Sequence, residues 1–384
     1  MTRPAGSARL LRTMNESAAL AHLLDPGMLT RADLRRLTAL STPTISEVLR
    51  RLTEAGLVTV AGHDSGRPGP SAEIYNAHPD AAYAAAVSVR DVGPGGAPSV
   101  VAALRDLTGA LRGRLEIPID FAATDPLTAL SGVVKRLGEE AGVPADRIRH
   151  VQLGVPGSYD PRTGTIRHVD VPGLGRTGLV AELAAALGTE VGADNDVNLA
   201  AIAERRRGAG RGAESFVLLW LGEDGLGLAI DLGGTLMRGA RGGAGEIGYM
   251  PLAMSGEKAD LHDLVAGAAI LELARRDGTT GRTPAEAVRN AGSGLLTEIA
   301  DRVAVGVAAV IAVLDPHLVV LAGPIAQAGG HALLTAVRAA VRRAAPLESE
   351  IAVTAIDDDA VLLGALDAGL TAVHNALLAT IRDS

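Results

Sequence analysis

The sequence predicts an α/β protein in two parts: a helical head closed by a β-hairpin over residues 1–79, and a larger alternating α/β part over residues 80–384. Three observations predict this. Helix-period apolar patterns with caps crowd the first 55 residues, and two strand-like runs follow them. Beyond residue 80, short Val/Leu/Ala/Gly runs alternate with longer helical patterns, as buried strands and covering helices do. Finally, 384 residues exceed one ordinary domain and can bury a large core.

In the head, Asn15-Glu-Ser-Ala-Ala-Leu-Ala-His-Leu-Leu reads as a capped amphipathic helix that Asp25-Pro-Gly ends. Thr30-Arg-Ala-Asp33 announces a second helix, with Thr30 as cap and Asp33 returning the bond. A turn over Thr38 to Thr42 leads to Pro43 and a third helix running to about Ala55. The unit reads as a helix-turn-helix. In that geometry Ile45, Val48, Leu49 and Leu52 pack inward while Thr42, Thr44, Ser46 and Glu47 face double-stranded DNA. Arg50 and Arg51 are set for phosphates, which give affinity and register but no sequence choice. Leu57-Val-Thr-Val-Ala and Ala72-Glu-Ile-Tyr-Asn then form a wing, completing a winged helix-turn-helix. Arg67 at its tip suits a narrowed minor groove, the bland alternative being a solvated hairpin arginine. A three-helix protein-interaction module is the alternative reading of the whole unit.

Charge agrees with the head's reading. The chain carries a net charge of -8, which alone argues against nucleic acid, but residues 1–79 hold 9 Arg against 7 acidic residues and sum to +2. The chain has no cysteine, which excludes disulfides and thiolate metal sites and fits a cytoplasmic protein. Aromatic residues are only 2%, so Ala, Val and Leu must fill the core. The apolar run from Val303 to Leu314 is too short to span a bilayer, and the first 15 residues lack the apolar stretch of a signal peptide, so no membrane association is expected.

His78-Pro79 marks the passage into the second part. Residues 81–89 and 100–104 should form its opening hairpin, with Asp106-Leu-Thr-Gly109 as the next turn. Three polar clusters then stand out against an apolar background. Gly154-Val-Pro-Gly157 follows the buried run Val151-Gln-Leu and offers a side-chain-poor turn where a ligand can approach the backbone. Asp194-Asn-Asp-Val-Asn198 opens the helix Leu199-Ala-Ala-Ile-Ala-Glu, with Asn195 or Asp196 as its cap. Gly245-Glu-Ile-Gly-Tyr249 sets the carboxylate of Glu246 between glycines. Residues 126–141 and 178–187 are helical by period, Leu318-Val-Val-Leu-Ala-Gly-Pro324 is a buried strand ending in a turn, and residues 360–381 form a final helix.

Together, Gly154-Val-Pro-Gly, Asn195-Asp-Val-Asn with Ala203-Glu-Arg-Arg-Arg-Gly-Ala-Gly, and Arg238-Gly-Ala-Arg-Gly-Gly-Ala-Gly-Glu-Ile-Gly resemble the ROK family of repressors, open reading frames and kinases. Thr30-Arg-Ala-Asp-Leu, Leu40-Ser-Thr-Pro-Thr-Ile-Ser and Ser65-Gly-Arg-Pro resemble the winged-helix head of its repressors. The resemblance implies a two-lobed actin/hexokinase-like, ribonuclease H-like fold for residues 80–384, which binds a sugar or sugar derivative and assembles as a homodimer or tetramer. In the family's kinases the residue matching Asp196 is the base, and those matching Asn195 and Glu246 grip sugar hydroxyls. Gly157, Tyr249 and His262 complete the expected ligand set, His262 standing where the family has a glutamate unless the match slips to Asp263.

The chain departs from the kinases in two places. Their Asp-x-Gly-Gly-Thr-like phosphate turn is replaced at the first hairpin by Val87-Ser-Val-Arg-Asp-Val-Gly-Pro-Gly-Gly, with Arg90 near the acid's position. Asp231-Leu-Gly-Gly-Thr235 matches that turn by letter only, falling where the family has an ordinary hairpin; Gly222-Glu-Asp-Gly-Leu-Gly227, at the second phosphate turn, carries two acids. Tyr249 also stands where a zinc-binding histidine is usual, and no cysteine accompanies it. The expectation is therefore a DNA-binding regulator, a repressor, with no cofactor, no metal and no enzymatic role, Asp196 being a vestige of the kinase base. The alternative is a ROK sugar kinase with a fused DNA-binding head.

Overall fold

Two five-stranded sheets with the same strand order form the larger part of the molecule. The computed structural model describes residues 5–25, 27–64, 72–90, 99–169, 171–223, 225–254, 257–346, 348–356 and 359–383. The tip of the expected wing with Arg67, the turn over residues 91–98, and Asp224 lie outside the described residues.

The head contains α1 (Ala5–Leu24), β1 (Leu29–Thr30), α2 (Arg31–Thr38), α3 (Thr42–Glu54), β2 (Val58–Asp64) and β3 (Ala72–Ala77). Thr30 and Asp33 form the expected capping box at α2. The cap of α3 is Ser41, whose hydroxyl accepts the Thr44 amide, and Pro43 sits in its first turn. Ile45, Val48, Leu49 and Leu52 are all buried, as the period requires. The first helix differs from expectation: it begins at Ala5, ten residues before Asn15. Its early part shows Leu10, Leu11 and Met14 exposed, so it lacks the apolar face by which helices are read.

The first lobe comprises β4 (Tyr83–Arg90), β5 (Ser99–Asp106), β6 (Leu111–Pro118), α4 (Pro126–Ala141), β7 (Ile148–Val155), the hairpin β8 (Ser158–Asp160) and β9 (Thr165–Arg167), α5 (Leu179–Leu187) and β10 (Glu190–Asn195). Its sheet runs β10-β7-β4-β5-β6, antiparallel from β4 to β6 and parallel from β4 to β10. Helix α6 (Asp196–Arg207) leads to the second lobe: β11 (Ser215–Leu221), β12 (Leu226–Leu232), β13 (Thr235–Leu236), the hairpin β14 (Pro251–Met254) and β15 (Glu257–Asp260), α7 (Leu261–Val265), α8 (Gly267–Asp277), α9 (Pro284–Arg289), α10 (Ser293–Leu314), β16 (Leu318–Ala322), α11 (Pro324–Ala344) and β17 (Glu350–Val353). Its sheet runs β13-β12-β11-β16-β17 and repeats the pattern of three antiparallel strands followed by two parallel ones. The final helix α12 (Ala360–Asp383) returns to the first lobe.

One large apolar cluster fills each lobe's outer layer, under α4 and α5 in the first lobe and under α8, α10 and α11 in the second. On the inner faces α6 packs on α12. Among the described residues, α12 is the one helix long and apolar enough to cross a membrane, which the short run at 303–314 did not anticipate. Here its apolar residues serve other partners: Leu362, Ala365 and Leu366 pack on the first sheet and α6, while Leu370 and Val373 join the head's core with Leu20, Leu49 and Tyr75. The head and the first lobe thus share one core across His78-Pro79, where the His78 amide also donates to the Leu57 carbonyl at 2.8 Å.

Candidate ligand site

Parallel pairing of β10 with β7 sets Asn195 beside Val155, so the start of α6 and the end of β7 open at the same edge of the first sheet. Asn195 is the cap of α6: its side-chain oxygen accepts from the amides of Val197 (2.8 Å) and Asn198 (3.2 Å). Its amide nitrogen donates to the Gly157 carbonyl at 3.1 Å, locking the helix start to the β7–β8 turn. The Gly154-Val-Pro-Gly157 cluster therefore reaches the site, with one correction of reason. A Cβ on Gly157 would stand 2.5 Å from the Arg167 carbonyl oxygen, so the glycine is required by the β8–β9 hairpin folding over it, and protein backbone fills the space foreseen for a ligand.

Asp196, the first residue of α6, is partly buried, and burial pushes its carboxyl up to about 7, with the negative charge of nearby Glu246 adding to the rise. Glu246 comes from the other lobe. Its segment is held by Gly245, whose φ of +95° and close approach to β12 exclude a side chain: a Cβ there would lie 1.9 Å from the Leu228 carbonyl oxygen. Upstream, Arg238 bridges the lobes, donating from Nε (2.9 Å) and a terminal nitrogen (2.7 Å) to one oxygen of the buried Asp194, whose other oxygen accepts from Asn198 (3.0 Å) and the Asn195 amide (2.9 Å). No local pattern in the sequence marks Asp194 and Arg238 for this pairing, because they lie 44 residues apart. Gly245→Ala is expected to shift Glu246 and weaken the binding of any sugar taken by the wild-type protein more than tenfold, read by calorimetric titration; unchanged affinity would show that this backbone contact does not set the site.

The remaining expected contacts fall at the rim. Tyr249 follows Glu246 in a short 3-10 turn, is 59% exposed, and lays its ring against His168 with centroids 5.3 Å apart. His262 is exposed near Gly248, and Asp263 is occupied with the capping box of α7 through Asp260. His168 was missed; no local pattern in Arg167-His-Val distinguishes it.

The neighbouring motifs have structural employment. Asp231 is buried, pairs with Arg205 and accepts from the Gly234 amide at 2.9 Å, so Asp231–Thr235 is the hairpin turn between β12 and β13. Glu204 is fully buried and accepts from the Ala209 amide at 2.6 Å and the Thr354 hydroxyl. Arg90 is ion-paired with Asp359, and Arg114 meets the same carboxylate at 2.6 Å, so a guanidinium held by an acid stands where the resemblance leads one to look for a phosphate-side aspartate. The zinc of the family does not fit this chain: there is no cysteine to supply a thiolate, and Tyr249 stands where the histidine would be.

In the head, Thr42 and Glu47 are exposed and Thr44 and Ser46 partly so. Thr42 accepts from Arg35 at 3.2 Å, and Glu47 accepts from Arg50 (2.7 and 2.9 Å) and Arg51 (2.7 Å), which holds its carboxyl down at about 2.

Residues 94–370 match the ROK family. The bifunctional enzyme NanE/NanK of Brucella suis is 32% identical over 284 residues, covering 70% of this chain and 51% of that protein, so the chain spans about half the length of this relative. The xylose repressor of Caldicellulosiruptor bescii is 21% identical over 392 residues, covering 94% of this chain and 96% of that one. Among solved structures, a ROK family transcriptional regulator described as a homologue of the Escherichia coli MLC protein superposes with a TM-score of 0.75 at 18% identity, covering 98% of this chain and 100% of that one. The repeated sheet pattern, the Asn195–Asp196 helix start and these matches lead to one conclusion: the chain belongs to the ROK family.

Proposed function

We propose that the protein is a DNA-binding transcriptional regulator, a repressor, whose head is a winged helix-turn-helix over residues 1–79 and whose ROK domain over residues 80–384 senses a sugar. The observation that carries this reading is mechanical. Helix α6 starts at Asn195 and Asp196 and packs on α12, and α12 contributes Leu370 and Val373 to the head's core, so the candidate ligand site and the head are two contacts apart. The relatives support it by extent: the match to the xylose repressor takes in 94% of this chain, that to the NanK-bearing enzyme 70%.

On an operator, Thr42, Thr44, Ser46 and Glu47 face base edges, and DNA phosphates compete with Glu47 and Glu54 for Arg50 and Arg51; Arg67 reaches the minor groove. Asn195, Asp196 and Glu246 hold sugar hydroxyls, with Tyr249 and His262 around them, while Gly157 holds Asn195 in place through its carbonyl. A homodimer or tetramer places two heads on half-sites about 34 Å apart, and sugar preference for one lobe arrangement changes that spacing. No nucleotide or metal takes part in this reading. Fluorescence anisotropy of the full chain on DNA flanking its own coding region, at fixed salt and with a panel of sugars, tests it; salt-dependent binding weakened by one sugar is the expected result, and no binding to that DNA would overturn it.

One observation favours a second reading. A carboxyl raised to about 7 suits a general base, so Asp196 could serve a sugar kinase with a fused head. Sugar-dependent release of ADP from ATP would establish that activity.

A further inference from the structure

The last turn of α6 carries three arginines in a row, and each is engaged differently. Arg205 turns to the buried Asp231 and to the carbonyls of Gly210 and Ala213. Arg207 meets Asp367 of α12 at 2.7 Å. Arg206 donates to the Thr371 hydroxyl at 2.7 Å and stands 3.8 Å from Asp367, a carboxylate that Arg105 and Arg207 already hold. A basic last turn is what the helix dipole favours, so the run by itself calls for no ligand. The dipole does not account for Arg238, which follows β13 and opens on the same groove as Arg205 and Arg206. That groove, about 340 Å³ in volume, lies between α6 and the β12–β13 turn, and its polar lining is Arg205, Arg206, Arg238, Asp231 and Thr235.

Charge and hydrogen-bond donors are both in surplus there. Among the described residues, Arg105, Arg205, Arg206, Arg207 and Arg238 share the carboxylates of Asp194, Asp231 and Asp367, so five positive charges face three negative ones. A guanidinium has five N–H donors. Arg206 directs one nitrogen to Thr371, and Arg238 directs two nitrogens to a single oxygen of Asp194, so both keep donors to spare. Their side chains are 47% and 44% exposed, which leaves those donors within reach of a ligand.

We infer that this groove is an anion site that takes a small tetrahedral oxyanion, phosphate either free or as a monoester. Guanidinium groups suit such a ligand because their planar fork of donors matches a pair of phosphate oxygens. Arg206 and Arg238 grip the anion, Arg205 adds positive charge, and Thr235, exposed at the turn, adds a hydroxyl. None of Asn195, Asp196, Glu246, Tyr249 and His262 lines the groove, so the site does not depend on the sugar reading. Its occupant joins two existing ties: Arg206 rests on Thr371, the neighbour of Leu370 in the head's core, and Arg238 holds Asp194 of the first lobe.

The test is calorimetric titration of the full chain, in a phosphate-free buffer at fixed ionic strength, with inorganic phosphate, with glycerol phosphate and with chloride as control. A phosphate probe should bind saturably, one per chain, and raise the unfolding midpoint as a ligand of the folded state does. The tighter of the two probes tells whether the anion is taken free or as an ester. Arg206→Gln removes one guanidinium and should weaken binding at least about tenfold. Thr235→Glu sets a carboxylate in the groove and should abolish binding by like-charge repulsion. Both positions are exposed, so without the anion each variant should unfold near the wild-type midpoint. No saturable binding of either phosphate probe, binding matched by chloride, or affinity unchanged in either variant would overturn the site.

Discussion

Asp367→Ala should destabilise the fold by about 3–5 kcal/mol, measured as the change in urea unfolding free energy. Asp367 lies on α12, is 1% exposed, and meets Arg105 of β5 and Arg207 of α6, each at 2.7 Å, with Arg206 at 3.8 Å. Removing it leaves Arg105, itself 15% exposed, without its carboxylate in a desolvated place. The cost of such an uncompensated charge exceeds what the pair contributed, because the desolvation of the arginine is no longer offset. Arg206 also donates to Thr371 at 2.7 Å, one turn further along α12, so part of the tether survives. A loss below about 1 kcal/mol would mean that this node does not hold α12 to α6.

The second large effect concerns pH. The Asp196 carboxyl, raised from 3.8 to about 7 by burial and then by Glu246, binds its proton more tightly in the folded chain than in the unfolded one. The stability this contributes is fully present below pH 3.8 and is lost as pH rises through about 7. At about 1.4 kcal/mol for each tenfold change in proton affinity, the loss is at most on the order of 4 kcal/mol, since the side chain keeps some contact with water. Asp196→Asn cannot ionise, so its unfolding free energy should fall less between pH 5 and pH 8 than that of the wild type. Parallel pH curves for the two proteins would contradict the assignment.

Much of this architecture was legible because its signals are local. Thr30 and Asp33 close their capping box within one turn, the apolar residues of α3 repeat at the helical period, and α4 runs between Pro126 and Gly142, a proline that can start a helix and a glycine that can end one. The start of α1 was not legible, since Leu10, Leu11 and Met14 face solvent and mark no buried face. The buried role of Glu204 was not legible either, because its partner Thr354 is 150 residues away. In the site the same division holds. The helix start at Asn195 is written in adjacent residues, whereas Arg238 on Asp194 and His168 on Tyr249 exist only once the two lobes close, and no spacing in the chain encodes them.

In the proposed mechanism, sugar held at the start of α6 controls what the head does. Glu246→Gln tests this, because it alters one carboxylate proposed to grip the sugar and changes no residue of the head or α12. Anisotropy titrations of wild type and variant on the same operator DNA, with and without the effective sugar, should give equal DNA affinity in its absence, with the sugar weakening the wild-type complex and leaving the variant's unchanged. A variant that still releases DNA at the wild-type sugar concentration would contradict control of the head through Glu246.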